Sequence, residues 1–93
     1  MADANFLNTM TVDAVFAIPG RGALASGQVS DGSFSVGGNV EILRQDGSTR
    51  TAVVGGIEQF RKPLQIANKD DRVDILLNNT SKNDVGAGDI LRS

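Results

Sequence analysis

Gly20-Arg21-Gly22-Ala23-Leu24-Ala25-Ser26-Gly27-Gln28-Val29 is the stretch on which the fold turns. From Gly22 it reads G-x-x-x-x-G-Q, close to the phosphate-binding loop G-x-x-x-x-G-K-[ST]. That loop needs a Lys for the outer phosphates and a Ser or Thr hydroxyl for magnesium. It also needs a helix starting directly behind it, with its N-terminal end facing the anion. Here Gln28 stands in the place of the Lys and Val29 in that of the hydroxyl. Ser30-Asp31-Gly32-Ser33 follows, a turn cluster and not a helix start. No nucleotide is expected to bind. Gly20 and Gly22 instead suit a turn, because glycine takes positive φ without a Cβ penalty, and Gly27 suits a strand that must bend.

Working outward, strand periods flank this turn on both sides. Thr11 to Ile18 alternates, with Val12, Ala14, Phe16 and Ile18 read onto one face and Thr11, Asp13, Val15 and Ala17 onto the other. Ala23 to Ser30 runs extended and stops at Asp31-Gly32, a tight-turn dipeptide. Val40 and Ile42 alternate with polar neighbours, and Gln45-Asp46-Gly47-Ser48 closes a hairpin into Thr49 to Val54. Gly55-Gly56 predicts a bulge or a sharp bend in a strand that continues to Phe60. Lys62-Pro63 reads as the start of a loop. Val73 to Leu77 alternates again, Asn78 to Asp84 is turn-like, and Ile90-Leu91 forms a last short strand. No window of about ten residues carries a helical period. Six or seven short strands with regular turns predict an all-β barrel or sandwich, and a closed barrel is favoured because closure removes the sheet edges that a small open sheet leaves exposed.

Composition narrows the function. The 93 residues suffice for one core, and 40% hydrophobic with 22% charged residues is ordinary for a globular protein. Only four residues are aromatic, all Phe, so the core must be aliphatic. Without Cys or His the chain lacks thiolate ligands and the commonest metal ligand and general base. No apolar run approaches the ~20 residues that span a bilayer, and Met1 to Asn5 shows no secretory pattern. Neither a membrane nor a cofactor is expected, and a cytoplasmic location is. A net charge of −2 argues against general binding to a nucleic acid backbone. Asp70, Asp71 and Asp74 lack the spacing of a calcium loop and read as a solvated acidic loop. Ser26 has no histidine to activate it. No catalytic residue and no metal site emerge, and the chain is expected not to be an enzyme.

Val15-Phe16-Ala17-Ile18-Pro19-Gly20-Arg21-Gly22-Ala23-Leu24-Ala25-Ser26-Gly27-Gln28-Val29 resembles the start of the second domain of translational GTPases, above all elongation factor Tu, which reads V-F-S-I-x-G-R-G-T-V-V-T-G-R-V. Phe34 to Ile42 is similar to I-K-V-G-E-E-V-E-I, and Gly56-Ile57-Glu58-Gln59-Phe60-Arg61-Lys62 to G-V-E-M-F-R-K. Val73 to Leu77 and Val85 to Leu91 continue the similarity, so that it spans residues 10 to 92. The resemblance implies a closed six-stranded, Greek-key-like β-barrel of the translation-factor type, occupying residues 10–93 behind an N-terminal extension of residues 1–9. It also implies that the glycine-rich segment is the turn between the first two strands.

In elongation factor Tu this domain helps to receive the aminoacylated 3′ end of transfer RNA. The resemblance carries that role onto Asp13, Phe16, Ile18, Gly20, Leu24, Ser26, Glu58, Arg61, Arg72 and Leu76. Phe16, Ile18, Leu24 and Leu76 would line an apolar slot, Glu58 would accept a bond from a ribose hydroxyl, and Arg61 would pair with a phosphate. Several residues depart from the pattern. Arg72 stands where the family has Asn, Ala14 replaces an acidic residue, and Asp70 and Asp74 replace glycines. The GTPase domain, which supplies the nucleotide chemistry, is not among these residues. Met1-Ala2-Asp3 reads as the start of a free-standing protein, with an excised domain of a larger GTPase as the alternative. The balance favours a binding module repurposed for a protein partner, with weak binding of an RNA 3′ end as the competing reading.

Overall fold

The computed structural model describes residues 6–93; the reading of Met1 to Asn5 lies outside them. The described chain folds into β1 (Thr9–Ile18), β2 (Gly22–Asp31), β3 (Ser33–Ser35), β4 (Asn39–Leu43), β5 (Thr49–Gln59), β6 (Lys62–Leu64), β7 (Ile66–Asn68), β8 (Arg72–Asn78) and β9 (Ile90–Arg92), with no helix among the described residues. Six strands close into an antiparallel barrel in the order β4-β9-β1-β2-β8-β5, and β4 pairs back with β5 to complete the ring. β6 extends β5 outside the ring, and β3 pairs with β7 in a separate two-stranded ribbon. The closed all-β architecture expected from the alternation is therefore the one observed.

The core is aliphatic, as four aromatics in the whole chain require. Met10, Val12, Val29, Ile42, Val54, Ile57, Ile75, Leu77 and Leu91 fill the barrel, and Phe34 is its one aromatic member. Besides a register shift between Thr9 and Met10 at the end of the β1–β2 pair, two bulges shape the wall. At Gly55 the β5–β8 register jumps from Val54↔Leu77 to Gly56↔Leu76, in the strand where the glycine pair predicted a bulge. The other bulge is in β1, where Val12 opposes Gly27 and Ala14 opposes Ser26, leaving Asp13 as the extra residue.

That second bulge corrects the reading of β1 as one uninterrupted alternation. Met10 and Val12 point into the core, but past Asp13 the phase shifts and Val15 takes over the inward position against Ala25. Ala14, Phe16 and Ile18 therefore lie on the face opposite to Val12, whereas the alternation had grouped all four. The extra residue shifts the period-2 phase by one position, which pattern counting does not register. Three short strands also went unread. Lys62-Pro63, expected to open a loop, begins β6, where Pro63 opposes Glu58 on an edge strand, a place in a sheet where Pro is tolerated.

A buried carboxylate ties the β4–β5 hairpin to the segment before β9. Asp89, 3% exposed, accepts bonds from the Gln45 amide through Oδ1 (3.2 Å) and from the Gly86 amide through Oδ2 (2.7 Å). The Arg44 Nε lies 2.8 Å from the same Oδ2. Replacing Asp89 strands two backbone amides and leaves the Arg44 guanidinium without its ion-pair partner. Asp89→Ala is expected to lower stability by about 3 kcal/mol, the scale for breaking a buried pair, read from the denaturant midpoint.

Glycine is required for different reasons at two positions. Gly20 has φ +76 with open space around it, so a side chain there meets only backbone strain. A Cβ at Gly27 would land on the carbonyl oxygen of Thr11, across the bulge. Gly20→Val should cost on the order of 1–3 kcal/mol. Gly27→Val should cost more, because strand pairing itself must give way. Equal midpoints for the two variants would contradict this account.

Candidate functional site

β1, β2, β8 and β5 lie side by side, and their outward residues form cross-strand rows. Phe16 opposes Leu24, Leu24 opposes Leu76, and Leu76 opposes Gly56. The next row runs Ala14, Ser26, Asp74, Glu58, and beyond it Gln28 opposes Arg72. Rows two residues apart along a strand are separated by about 7 Å. The first row is apolar and the second is acidic.

A cleft of about 140 Å³ opens over these rows, lined by Ile18, Arg21, Leu24, Gly56, Glu58, Asp74 and Leu76. Leu76 faces outward yet is only 6% exposed, and it stands outside the barrel core cluster. Leu24 and Ile18 are half-buried beside it. Gly56 creates part of the hollow, since it places no side chain opposite Leu76, and a Cβ there would come no closer than ordinary contact at 3.9 Å. These leucines are therefore a floor on the outside of the wall. The β1 bulge is what turns Ile18 and Phe16 toward that outer surface.

Two carboxylates stand at the lip. Asp74 and Glu58 are direct Cα partners across β8 and β5. Ser26 Oγ donates a hydrogen bond to Asp74 Oδ1. Among the described residues neither carboxylate has a cation within 4.0 Å, because the ion pairs are Arg44–Asp89, Arg50–Asp84, Arg72–Asp13 and Arg92–Glu41.

The residues singled out in the sequence divide among several places. Ile18, Leu24, Glu58 and Leu76 share the cleft. Ser26 reaches it through its bond to Asp74. Phe16 borders it beside Leu24 and is 55% exposed. Asp13 and Arg72 pair with each other at 2.8 Å in a separate polar hollow, shared with Thr11, Gln28, Ser30 and Asp70. Gly20 lies in the β1–β2 turn. Arg61 sits with Phe60 at the β5–β6 turn, both at positive φ (65° and 52°), the two-residue geometry that brings Gln59 opposite Lys62. Phe60 is 89% exposed there.

Sequence reasoning passed over three members of the cleft: Arg21, Gly56 and Asp74. Asp74 carried a usable signal, since alternation over Val73 to Leu77 places it on the same face as Leu76 and opposite to Val73, Ile75 and Leu77. In the acidic loop, Asp71 Oδ2 accepts the Asn68 amide at 2.9 Å, an ordinary turn bond. Among the described residues no three or more carboxylate, Cys or His side chains are placed to hold a metal ion.

Taken together, the closed ring and its outward cleft define a small antiparallel β-barrel domain with a recess on its wall. Residues 22–92 match the family model of elongation factor Tu domain 2. The chain belongs to that family. The match begins at Gly22, so the similarity of Val15 to Arg21 lies ahead of it.

A floor outside the core should be separable from the core by substitution. Leu24→Ser should change stability by no more than about 1 kcal/mol, the order expected where a residue is only half-buried. Ile75→Ala, from the adjacent strand but pointing inward, should cost about 2–5 kcal/mol. Chemical denaturation of both variants checks the assignment, and equal losses would place Leu24 in the core.

Proposed function

We propose that this barrel is a non-catalytic binding module whose outer cleft docks a partner protein, and that the reception of an aminoacylated RNA end no longer operates here. The observation that carries the reading is the lip of the cleft. Asp74 faces Glu58 with no cation within ion-pair distance, so a ligand rich in phosphates would bring negative charge against two carboxylates. Like charges juxtaposed at an interface work against binding and exclude the wrong partner. Arg72 supports the same conclusion. It stands where the family resemblance implies an Asn, and its guanidinium is engaged by Asp13.

One observation favours the RNA reading. The apolar floor of Ile18, Leu24 and Leu76 with Glu58 at its edge is a slot on which a base could lie, with an acceptor for a ribose hydroxyl. An NMR titration with a short CCA-ended oligonucleotide separates the two. The expected outcome is no shift at Leu24, Glu58 or Leu76 at large ligand excess. Shifts clustered on those residues and removed by Arg61→Ala would establish the RNA role instead.

A further inference from the structure

The cleft's size, floor and charge also specify what part of a partner fits it, an inference that rests on the protein-docking reading above. A water molecule takes a share of about 30 Å³ in the liquid, so a recess of about 140 Å³ holds roughly four or five waters. That is room for one side chain, not for a strand or a helix. Its floor is apolar, formed by Leu24, Leu76 and Ile18, and one end is acidic. An aliphatic side chain would satisfy the floor and leave the acidic end as it was. A short acid would meet like charge.

The acidic end is built to receive donors. Like charges directly opposite on adjacent strands are destabilising, yet Asp74 and Glu58 are Cα partners. Ser26 engages Asp74 Oδ1. Asp74 Oδ2 and both Glu58 oxygens accept no hydrogen bond from any described side chain or backbone amide. Three acceptor atoms thus stand at one end of a recess. The protein's own cations do not fill the place: Arg72 is held by Asp13, and Arg21, which lines the same cleft, comes within 4.0 Å of neither carboxylate.

We propose that the cleft takes a single lysine or arginine side chain of the partner protein. The aliphatic stem lies on Leu24, Leu76 and Ile18, and the charged head sits between Glu58 and Asp74. Such side chains bury their stems on apolar surface while the head seeks polar partners, and an ammonium offers three donors, a guanidinium five. The apolar and acidic rows are about 7 Å apart, which matches the reach of a four-carbon stem. A cation seated there also relieves the repulsion between the two carboxylates.

The test is an NMR titration of the full chain with a capped Gly-Lys-Gly peptide, alongside the same peptide carrying norleucine or glutamate in place of lysine. The lysine peptide should shift the amides of Leu24, Gly56, Glu58, Asp74 and Leu76, norleucine should bind more weakly, and glutamate not at all. The isosteric double variant Glu58→Gln, Asp74→Asn should bind the lysine peptide about fivefold to tenfold more weakly, the loss of two partly exposed ion pairs. Glu58→Gln alone, at an exposed position, gives a partial loss without risk to the fold. Norleucine binding as well as lysine at these residues would overturn the charge assignment while leaving the docking reading intact. A CCA trinucleotide shifting the same residues when the lysine peptide does not would overturn both. No shift with any peptide at millimolar excess would overturn the inference.

Discussion

The close approach of Gly27 to Thr11 is the constraint on which both the barrel and its outer cleft depend. With no side chain at Gly27, β2 comes close enough to β1 for the Thr11 carbonyl to occupy the space of a Cβ. The chain accommodates one surplus residue there, Asp13, and the facing of β1 changes phase across it. Before the bulge β1 contributes Met10 and Val12 to the core; after it Val15 packs inward while Phe16 and Ile18 turn out. A regular strand would have sent Phe16 and Ile18 into a barrel already filled by aliphatic side chains. The bulge thus serves barrel closure and surface chemistry with one insertion, as bulges often do where a side chain must be re-aimed.

The outer wall is consequently a second, smaller apolar surface on the same strands that form the core. Leu76 shows how unusual this is. Its neighbours Ile75 and Leu77 face the interior, and Leu76 is nearly as buried although it faces away from it. Three consecutive buried residues in β8 are possible only because β2 and β5 supply Leu24 and the bare Gly56 on either side. Beside this floor, Asp74 and Glu58 place negative charge within one row. The arrangement costs repulsion and supports no core, and the docking role proposed above rests on it.

The family relation frames the fold more firmly than it frames the site. Membership rests on residues 22–92, and the barrel expected of it is the one observed. The site residues implied by the resemblance disperse over the cleft, a neighbouring polar hollow and two turns. Asp13 and Arg72 illustrate the point: they pair with each other in the hollow, so positions that would share one ligand in the family are engaged in a contact of this chain's own. Arg61, at the tip of the β5–β6 hairpin, does not line the cleft.

What the sequence determined by itself was whatever depends on near neighbours. Alternation over Val73 to Leu77, the turn at Asp46-Gly47, the bulge at the Gly55-Gly56 pair and the scarcity of aromatics were enough for strands, turns, an aliphatic core and a closed barrel, because backbone conformation and facing are set within a few residues. Three of the four three-residue strands, β3, β6 and β7, escaped notice, since so short a run carries no period. The bulge at Asp13 escaped it as well, because its cause, Gly27 beside Thr11, joins residues on two different strands. Only the tertiary structure decided that Asp74 stands opposite Glu58, that Leu76 forms a floor with Leu24, and that Arg72 is bound to Asp13. Those are matters of register between strands far apart in the chain, and register is fixed by the collective fit of the core, which no single segment contains.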